Sequence, residues 1–321
     1  MSANKERNIW LEGIMGVAVG DALGLPAQFL ERDELRDDPV TEMYPSDIYR
    51  QPAGAWSDDT SMTIAMLDSI KTLGNIDKED VMKRFVSWLC YDEYTPTGET
   101  FDEGNTCASA ILKYNKNHDI ENCGKTGEHA NGNGSLMRTM PVCLFYAEKM
   151  NKDSGVVDEA IKDIHELSAL THNHKRACMA CGLYFFCVYE IIYGTGTLKE
   201  RLQNGLDKGF EYYGKDITNL VEMSHYGRLK DLSEFENVPE DKIKSSGYVV
   251  DTLEAAIWSL ITTESFEQAI IKAVNLGDDS DTIAAVAGGL AGLYYGYDAI
   301  PKRWLDVLIK REWLEEMCDE A

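Results

Sequence analysis

The sequence predicts an all-α protein, on three observations. Apolar residues recur at helical spacing in ten separate stretches, strand signals are nearly absent, and no alternating runs are joined by an Asn-Gly or Asp-Gly turn. The chain has 321 residues and 44% hydrophobic content, enough for a sizeable core, with no linker, low-complexity tract or solenoid-period repeat. A single domain over residues 1–321 is expected.

The elements follow in order. The first helix is expected over 7–23; the apolar stretch Ile14 to Leu30 is broken by Asp21 and Gln28 and rich in Gly, so it is not a membrane span. A helix over 57–73 opens on Ser57-Asp58-Asp59-Thr60, and one over 77–91 has Asp77 and Asp80 in capping-box spacing. Helix periodicity resumes at 104–115, after a polar loop over 92–106, and at 133–149, after another over 117–135. Helices over 156–170 and 174–193 follow. The second of these contains Cys178 and Cys181, a C-x-x-C with no second pair to complete a zinc site, so both are expected to be buried thiols. A third long loop, 224–248, precedes helices over 251–261, 264–275 (Ser265 and Gln268 in capping-box spacing) and 281–296. Long loops in a compact chain usually carry function.

Net charge is −24, from 31 Lys+Arg against 55 Asp+Glu. Such a surface repels nucleic acid and anionic membrane, so neither is expected as a general partner. An anionic ligand would need metal ions or helix N-termini to cancel the field locally. The polar N-terminus, Met1 to Asn8, lacks a signal-peptide apolar region, and the eight cysteines are read as reduced thiols in a cytoplasmic protein.

The most informative feature is a pair of similar clusters more than two hundred residues apart: Ser57-Asp58-Asp59-Thr60 and Asp278-Asp279-Ser280-Asp281-Thr282. Each leads into a small-residue helical stretch, Ser61 to Leu67 or Ile283 to Gly289. One cluster alone reads as a helix cap; two, with no Cys or His nearby, offer the hard oxygen ligands that a pair of Mg²⁺-like ions requires. Three further candidates lie in loops. Gly132-Asn133-Gly134-Ser135, before Leu136-Met137-Arg138, would let backbone N–H groups approach a phosphate at a helix start, with Arg138 adding a cation; a tight turn explains the glycines equally well. Thr171-His172 offers a polar contact or a satisfied structural histidine. Phe101-Asp102-Glu103-Gly104-Asn105-Thr106 places Asp102 where it is either a cap or a site carboxylate.

In order along the chain, Gly20-Asp21-Ala22-Leu23-Gly24, Trp56 to Thr60, Phe101 to Thr106, Gly132 to Arg138, Thr171-His172 and Gly277 to Thr282 resemble the motifs of the ADP-ribosylglycohydrolase family. This family includes dinitrogenase-reductase-activating glycohydrolases and ADP-ribosylarginine hydrolases. The motifs cover residues 13 to about 296. The resemblance implies a compact, orthogonal all-α bundle with a binuclear Mg²⁺ centre (Mn²⁺ as an alternative), and hydrolysis of the glycosidic bond at C1″ of ADP-ribose. It implies that Ser57, Asp58 and Asp59 bind one ion, that Asp279 and Thr282 bind the other, and that Asp281 bridges them. Asp102 would reach the ribose, Gly132, Asn133, Gly134 and Ser135 would cradle the diphosphate with Met137 and Arg138 beside them, and His172 would contact the distal ribose. Asp59 or Asp102 would take the proton of the attacking water. The implied partners are ADP-ribose and an ADP-ribosylated protein or small molecule, and a monomer is expected. The sequence departs from the family at Gln28, where many members carry Glu. Gln cannot act as an anionic base, so the chain either works through Asp102 and the metals or is a non-catalytic ADP-ribose or nucleotide binder.

Overall fold

Two glycine-lined helices, Ile9–Gly24 and Ser280–Tyr295, run antiparallel through the centre of the molecule with their backbones in contact. A Cβ on Gly16 would stand 2.1 Å from the Gly288 carbonyl oxygen, and one on Gly20 would stand 2.0 Å from that of Ala284. Gly16, Gly20 and Gly24 recur every four residues, so one face of the first helix is bare. Any side chain there would force the helix axes apart. This approach sets the register of the site: the end of the first helix abuts the start of the other, where the Ser280 hydroxyl donates to the Gly24 carbonyl at 3.0 Å.

The computed structural model describes residues 7–319, so most of the reading of Met1 to Asn8 lies outside it. Around the central pair stand Asp58–Leu73, Lys78–Tyr91, Asn105–Asn117, Met140–Lys152, Val157–Ala169, Lys175–Tyr193, Val249–Ile261 and Phe266–Val274. Each overlaps a stretch expected from periodicity. Among the described residues there is no strand, only three isolated bridges: Ser46 with Gln51, Lys125 with His172, and Gly132 with Tyr248. The fold is all-α. Its buried side chains form one contiguous core that includes Trp56, Phe85, Trp88, Tyr184 and Trp304. Ile9–Ala27 and Lys175–Tyr193 are long and apolar enough to cross a membrane by composition, but 83% of each is buried within the protein.

Three sequence expectations need correction. The helix expected over 133–149 begins only at Met140; residues 133–139 are turns, in which the Asn133 carbonyl accepts from the N–H groups of Leu136 and Met137. Leu198–Gly214 is a full helix that periodicity missed. Its apolar stripe is narrow (Leu198, Leu202, Leu206), and Gly205 and Gly209 read as breakers. In the fold these glycines let it lie against Lys175–Tyr193, where a Cβ on Gly205 would meet the Phe186 carbonyl at 2.7 Å. The capping boxes are also only half-formed. Asp77 accepts from Glu79 and Asp80, and Ser265 accepts from Gln268, but the Gln268 side chain returns to Glu264 rather than to the cap.

Candidate metal centre and ligand cleft

The two aspartate clusters, so distant in sequence, meet. Ser57 caps Asp58–Leu73, Asp279 stands at the N-cap position of Ser280–Tyr295 without a capping bond from its side chain, and the two helix starts meet through Thr282 and Asp59. The Thr282 hydroxyl donates to Asp59 Oδ2 at 3.3 Å and lies 3.4 Å from Asp279 Oδ1, while Ser57 Oγ donates to Asp59 Oδ2 at 3.2 Å. Beneath them lies Asp21, fully buried. It accepts the N–H groups of Ser57 (2.9 Å) and Thr60 (3.0 Å) and the Thr60 hydroxyl (2.6 Å). Asp21 thus satisfies the orphan donors of the helix start from another helix, leaving Asp58 and Asp59 free for other partners.

The electrostatics call for cations. Asp59 Oδ1 and both oxygens of Asp281 are buried with no N–H or hydroxyl donor, and Asp281 faces only the Asp102 carboxyl, with which it can bond by sharing a proton. Burial pushes the carboxyls of Asp58, Asp59 and Asp281 well above the usual range. Like charge adds to this: Asp102 acts on Asp58, Asp21 on Asp59, and Asp102 with Asp279 on Asp281. Asp21, Asp102 and Asp279 are raised to about 6, again chiefly by burial. So many ionised carboxylates cannot share a dry site unless cations compensate them. Orphaned anionic oxygens beside hydroxyls, with no soft ligand among them, fit hard divalent ions.

A cleft of about 260 Å³ opens above this centre. Asp102 stands on one side of it. Its backbone is left-handed (φ +58°), and Gly104, not Asp102, is the N-cap of Asn105–Asn117, so the cap reading of Asp102 is excluded. Asp102 Oδ2 accepts from Gln28 Nε2 at 2.9 Å, and Oδ1 accepts from the Tyr49 hydroxyl. Across the cleft stand Gly132, Gly134 and His172. A Cβ on Gly134 would sit 2.9 Å from His172 Cε1, so the ring occupies the space a side chain there would take. Burial lowers the His172 pKa to about 3, so the ring is neutral. Its Nδ1 lies 2.8 Å from the Thr171 hydroxyl, which also accepts from Arg138 at 2.8 Å. The other ring nitrogen, Nε2, faces the glycines, 3.3 Å from where a Cβ on Gly132 would stand.

The remaining candidates divide. Met137 and Asn133 line the cleft, and Asn133 acts through its side chain, donating to Asp279 Oδ2 and to Thr252. Ser135 and Arg138 do not line it. Ser135 accepts from Ser168 behind the loop, and Arg138 is fully buried, donating to Gly134, Leu167 and Thr171 over the Phe85 ring. Arg138 therefore braces the glycine loop from beneath and adds no cation to a ligand. The helix dipole expected at Gly132 is likewise absent, because the helix begins at Met140. Three other helix starts do line the cleft, through Asp58, through Asn105 with Thr106, and through Thr282. Sequence reasoning gave Asp21 no role, although a carboxylate inside an apolar helix is a signal; Tyr49 carried none.

A separate group, Glu128, His174 and Glu222, also brings ligand atoms within 4.8 Å of one another. Arg176 already pairs with both carboxylates (Glu222 at 2.8 Å, Glu128 at 3.2 Å), and its N–H donates to His174 Nδ1. An ion could enter only by displacing it.

The family model described as ADP-ribosylglycohydrolase matches residues 3–321. An ADP-ribosylarginine hydrolase Tri1 of Serratia proteamaculans (strain 568) is 32% identical over 307 residues, covering 96% of this chain and 77% of that one. An ADP-ribosyl-[dinitrogen reductase] glycohydrolase of Rhodospirillum rubrum is 30% identical over 315 residues, covering 94% and 92%. A solved structure titled ADP-ribosylglycohydrolase-related protein complex superposes with a TM-score of 0.74 at 29% identity, covering 97% of this chain and 95% of that one.

Proposed function

The chain belongs to the ADP-ribosylglycohydrolase family of glycosyl-bond hydrolases, and on that premise we propose that it cleaves ADP-ribose from a modified acceptor at C1″. Two divalent cations, Mg²⁺ or Mn²⁺, would be held by Ser57, Asp58, Asp59, Asp279, Asp281 and Thr282. One observation carries this reading: two remote clusters converge and leave three buried carboxylate oxygens without an N–H or hydroxyl donor. When bound, the cations supply the positive charge that orients the ribose hydroxyls and polarises water.

The chain's own residues do the rest. Asp102 faces the cleft with each oxygen already accepting one proton donor, so a lone pair on each stays free for the attacking water or a ribose hydroxyl. We assign the base to Asp102 rather than Asp59, because Asp102 lines the cleft and Asp59 does not. Positive charge that builds at C1″ as the acceptor departs is stabilised by the surrounding carboxylates. His172 Nε2 and the bare backbone at Gly132 and Gly134 receive the distal ribose and diphosphate. The N-terminus of Asn105–Asn117, which has no side-chain cap, favours the same anion. An ADP-ribosylated protein is the proposed substrate, and arginine is the acceptor to test first, given the names of its relatives. The eight unpaired cysteines support a cytoplasmic setting, and a monomer is part of the same proposal.

The direct test is turnover of a panel of ADP-ribosylated acceptors (arginine, serine, nucleic-acid ends) with Mg²⁺ and with EDTA. Release of ADP-ribose from at least one acceptor, abolished by EDTA, is expected; no release from any would defeat the hydrolase reading.

Cation binding is also expected to register in stability. Each ion at about ten times its Kd adds about 1.4 kcal/mol by mass action, so millimolar Mg²⁺ or Mn²⁺ should raise the Tm by several degrees. Without metal the trend with pH has a definite sign. Asp21, Asp102 and Asp279 have folded-state pKa values of about 6 against an ordinary 3.8, so the folded protein holds protons that the unfolded chain releases. Metal-free stability should therefore fall as pH rises from about 4 to 6, and the gain from Mg²⁺ should grow over the same interval. A Tm indifferent to Mg²⁺, Mn²⁺ and EDTA across this range would remove the cation site from the account.

A further inference from the structure

Asp102 does not hold its place alone. Its backbone is in the left-handed region, and its loop supplies no bond to its carboxylate. The two donors that fix the carboxylate come from outside, the Gln28 carboxamide at 2.9 Å and the Tyr49 hydroxyl, and the Asp281 carboxyl also lies within hydrogen-bond reach. Tyr49 is near the tip of a short hairpin closed by two bonds, Ser46 N–H to the Gln51 carbonyl (2.9 Å) and Gln51 N–H to the Ser46 carbonyl (3.1 Å). The buried Gln51 side chain accepts from the Thr97 hydroxyl at 2.9 Å, tying this hairpin to the loop that leads into Asp102. The Tyr49 ring also packs against Phe101, with centroids 5.4 Å apart. The hairpin is thus built onto Asp102 from two sides.

The donor set explains the residue at position 28. A carboxamide can donate to Asp102, whereas a glutamate there would set a second carboxylate against it. Gln28 is 4% exposed, and its Oε1 is buried with no partner. Amide orientation is therefore decided by Asp102: Nε2 faces the anion, and Oε1 is left for a ligand.

We propose that Tyr49 is a positioning residue for the hydrolysis: its hydroxyl and the Gln28 carboxamide clamp the Asp102 carboxylate in one orientation toward the cleft. The proposal rests on Asp102 acting as the base in the reading above. Tyr49 is set by its contact to act through Asp102 and not on the substrate, since it does not line the cleft.

Tyr49→Phe tests it, because the ring stays against Phe101 and only the hydroxyl is lost. A hydrogen bond to a charged group is worth about 10- to 100-fold, so kcat should fall by that factor while KM changes by less than about 2-fold. In an Asp102→Asn background the same change should cost nothing further, because the group through which Tyr49 acts is gone. An equal loss in both backgrounds, or no loss in the wild type, would overturn the proposal. A loss confined to KM would overturn it too. A wild type inactive on every acceptor would defeat the hydrolase reading, and the clamp would then be judged by crystal structures of wild type and Tyr49→Phe. An Asp102 carboxylate that turns or adopts two conformers in the variant supports the clamp; one that stays fixed against Gln28 refutes it.

Discussion

Asp281→Asn is expected to abolish the response to Mg²⁺ while making the metal-free protein more stable than wild type. Asp281 is fully buried at the meeting point of the two clusters, with no N–H or hydroxyl donor and only the Asp102 carboxyl within reach. Without cations its charge is opposed by burial and by Asp102, Asp279, Asp59 and Asp21, so a neutral amide relieves the site. With cations the sign reverses, because removing one member of a buried charge pairing costs about 3–5 kcal/mol, or more than 100-fold in affinity. Turnover should fall at least as far. Asp278→Asn is the control. Asp278 is exposed, lies outside the cleft, and has φ +58°, which Asn tolerates, so its Tm, Mg²⁺ response and turnover should match wild type. Thermal melts of both variants in Mg²⁺ and in EDTA decide the point. Equal losses of metal response in the two would mean that the register of the second cluster is misassigned.

Asp102→Asn is expected to lower kcat by about 10²–10⁴, the usual worth of a general base, with the Tm gain from Mg²⁺ retained. Gln28→Ala should cost much less, since it removes one of two donors to Asp102 and leaves Tyr49 in place. Gln28→Glu separates enzyme from binder. If Asp102 is the base, a second carboxylate 2.9 Å away displaces it or holds a proton between the two, and turnover falls. If the chain is instead a binder that lost its carboxylate, Gln28→Glu should create hydrolysis at similar affinity for ADP-ribose. Rate measurements on the three variants with the same acceptor suffice. A wild type that binds ADP-ribose yet is silent, beside an active Gln28→Glu, would transfer the catalytic role to position 28.

Much of the site was legible because its chemistry is local in sequence. Ser57 to Thr60 and Asp278 to Thr282 announce themselves as oxygen-ligand clusters at helix starts, and helix starts are set by short-range capping. The glycines at 132 and 134 likewise mark a close backbone approach, and His172 does stand against them. What failed was direction. Arg138 sits three residues after Ser135, but the intervening turn points it into the core against Phe85, and no periodicity reports the direction of a turn.

By itself the sequence determined the helical class, ten of the main helices (nine within a few residues, one with a late start), and the residue types of the candidate metal site, because each depends on spacing within a dozen residues. Only the tertiary structure decided which of those residues meet. Gly16, Gly20 and Gly24 pack on Gly288, Ala284 and Asp281, and that backbone contact brings Asp21 into the electrostatic reach of Asp281. Tyr49 reaches Asp102 across 53 positions, and Thr282 reaches Asp59 across 223. Such pairings are fixed by the packing of helix faces, and a single sequence holds no record of them.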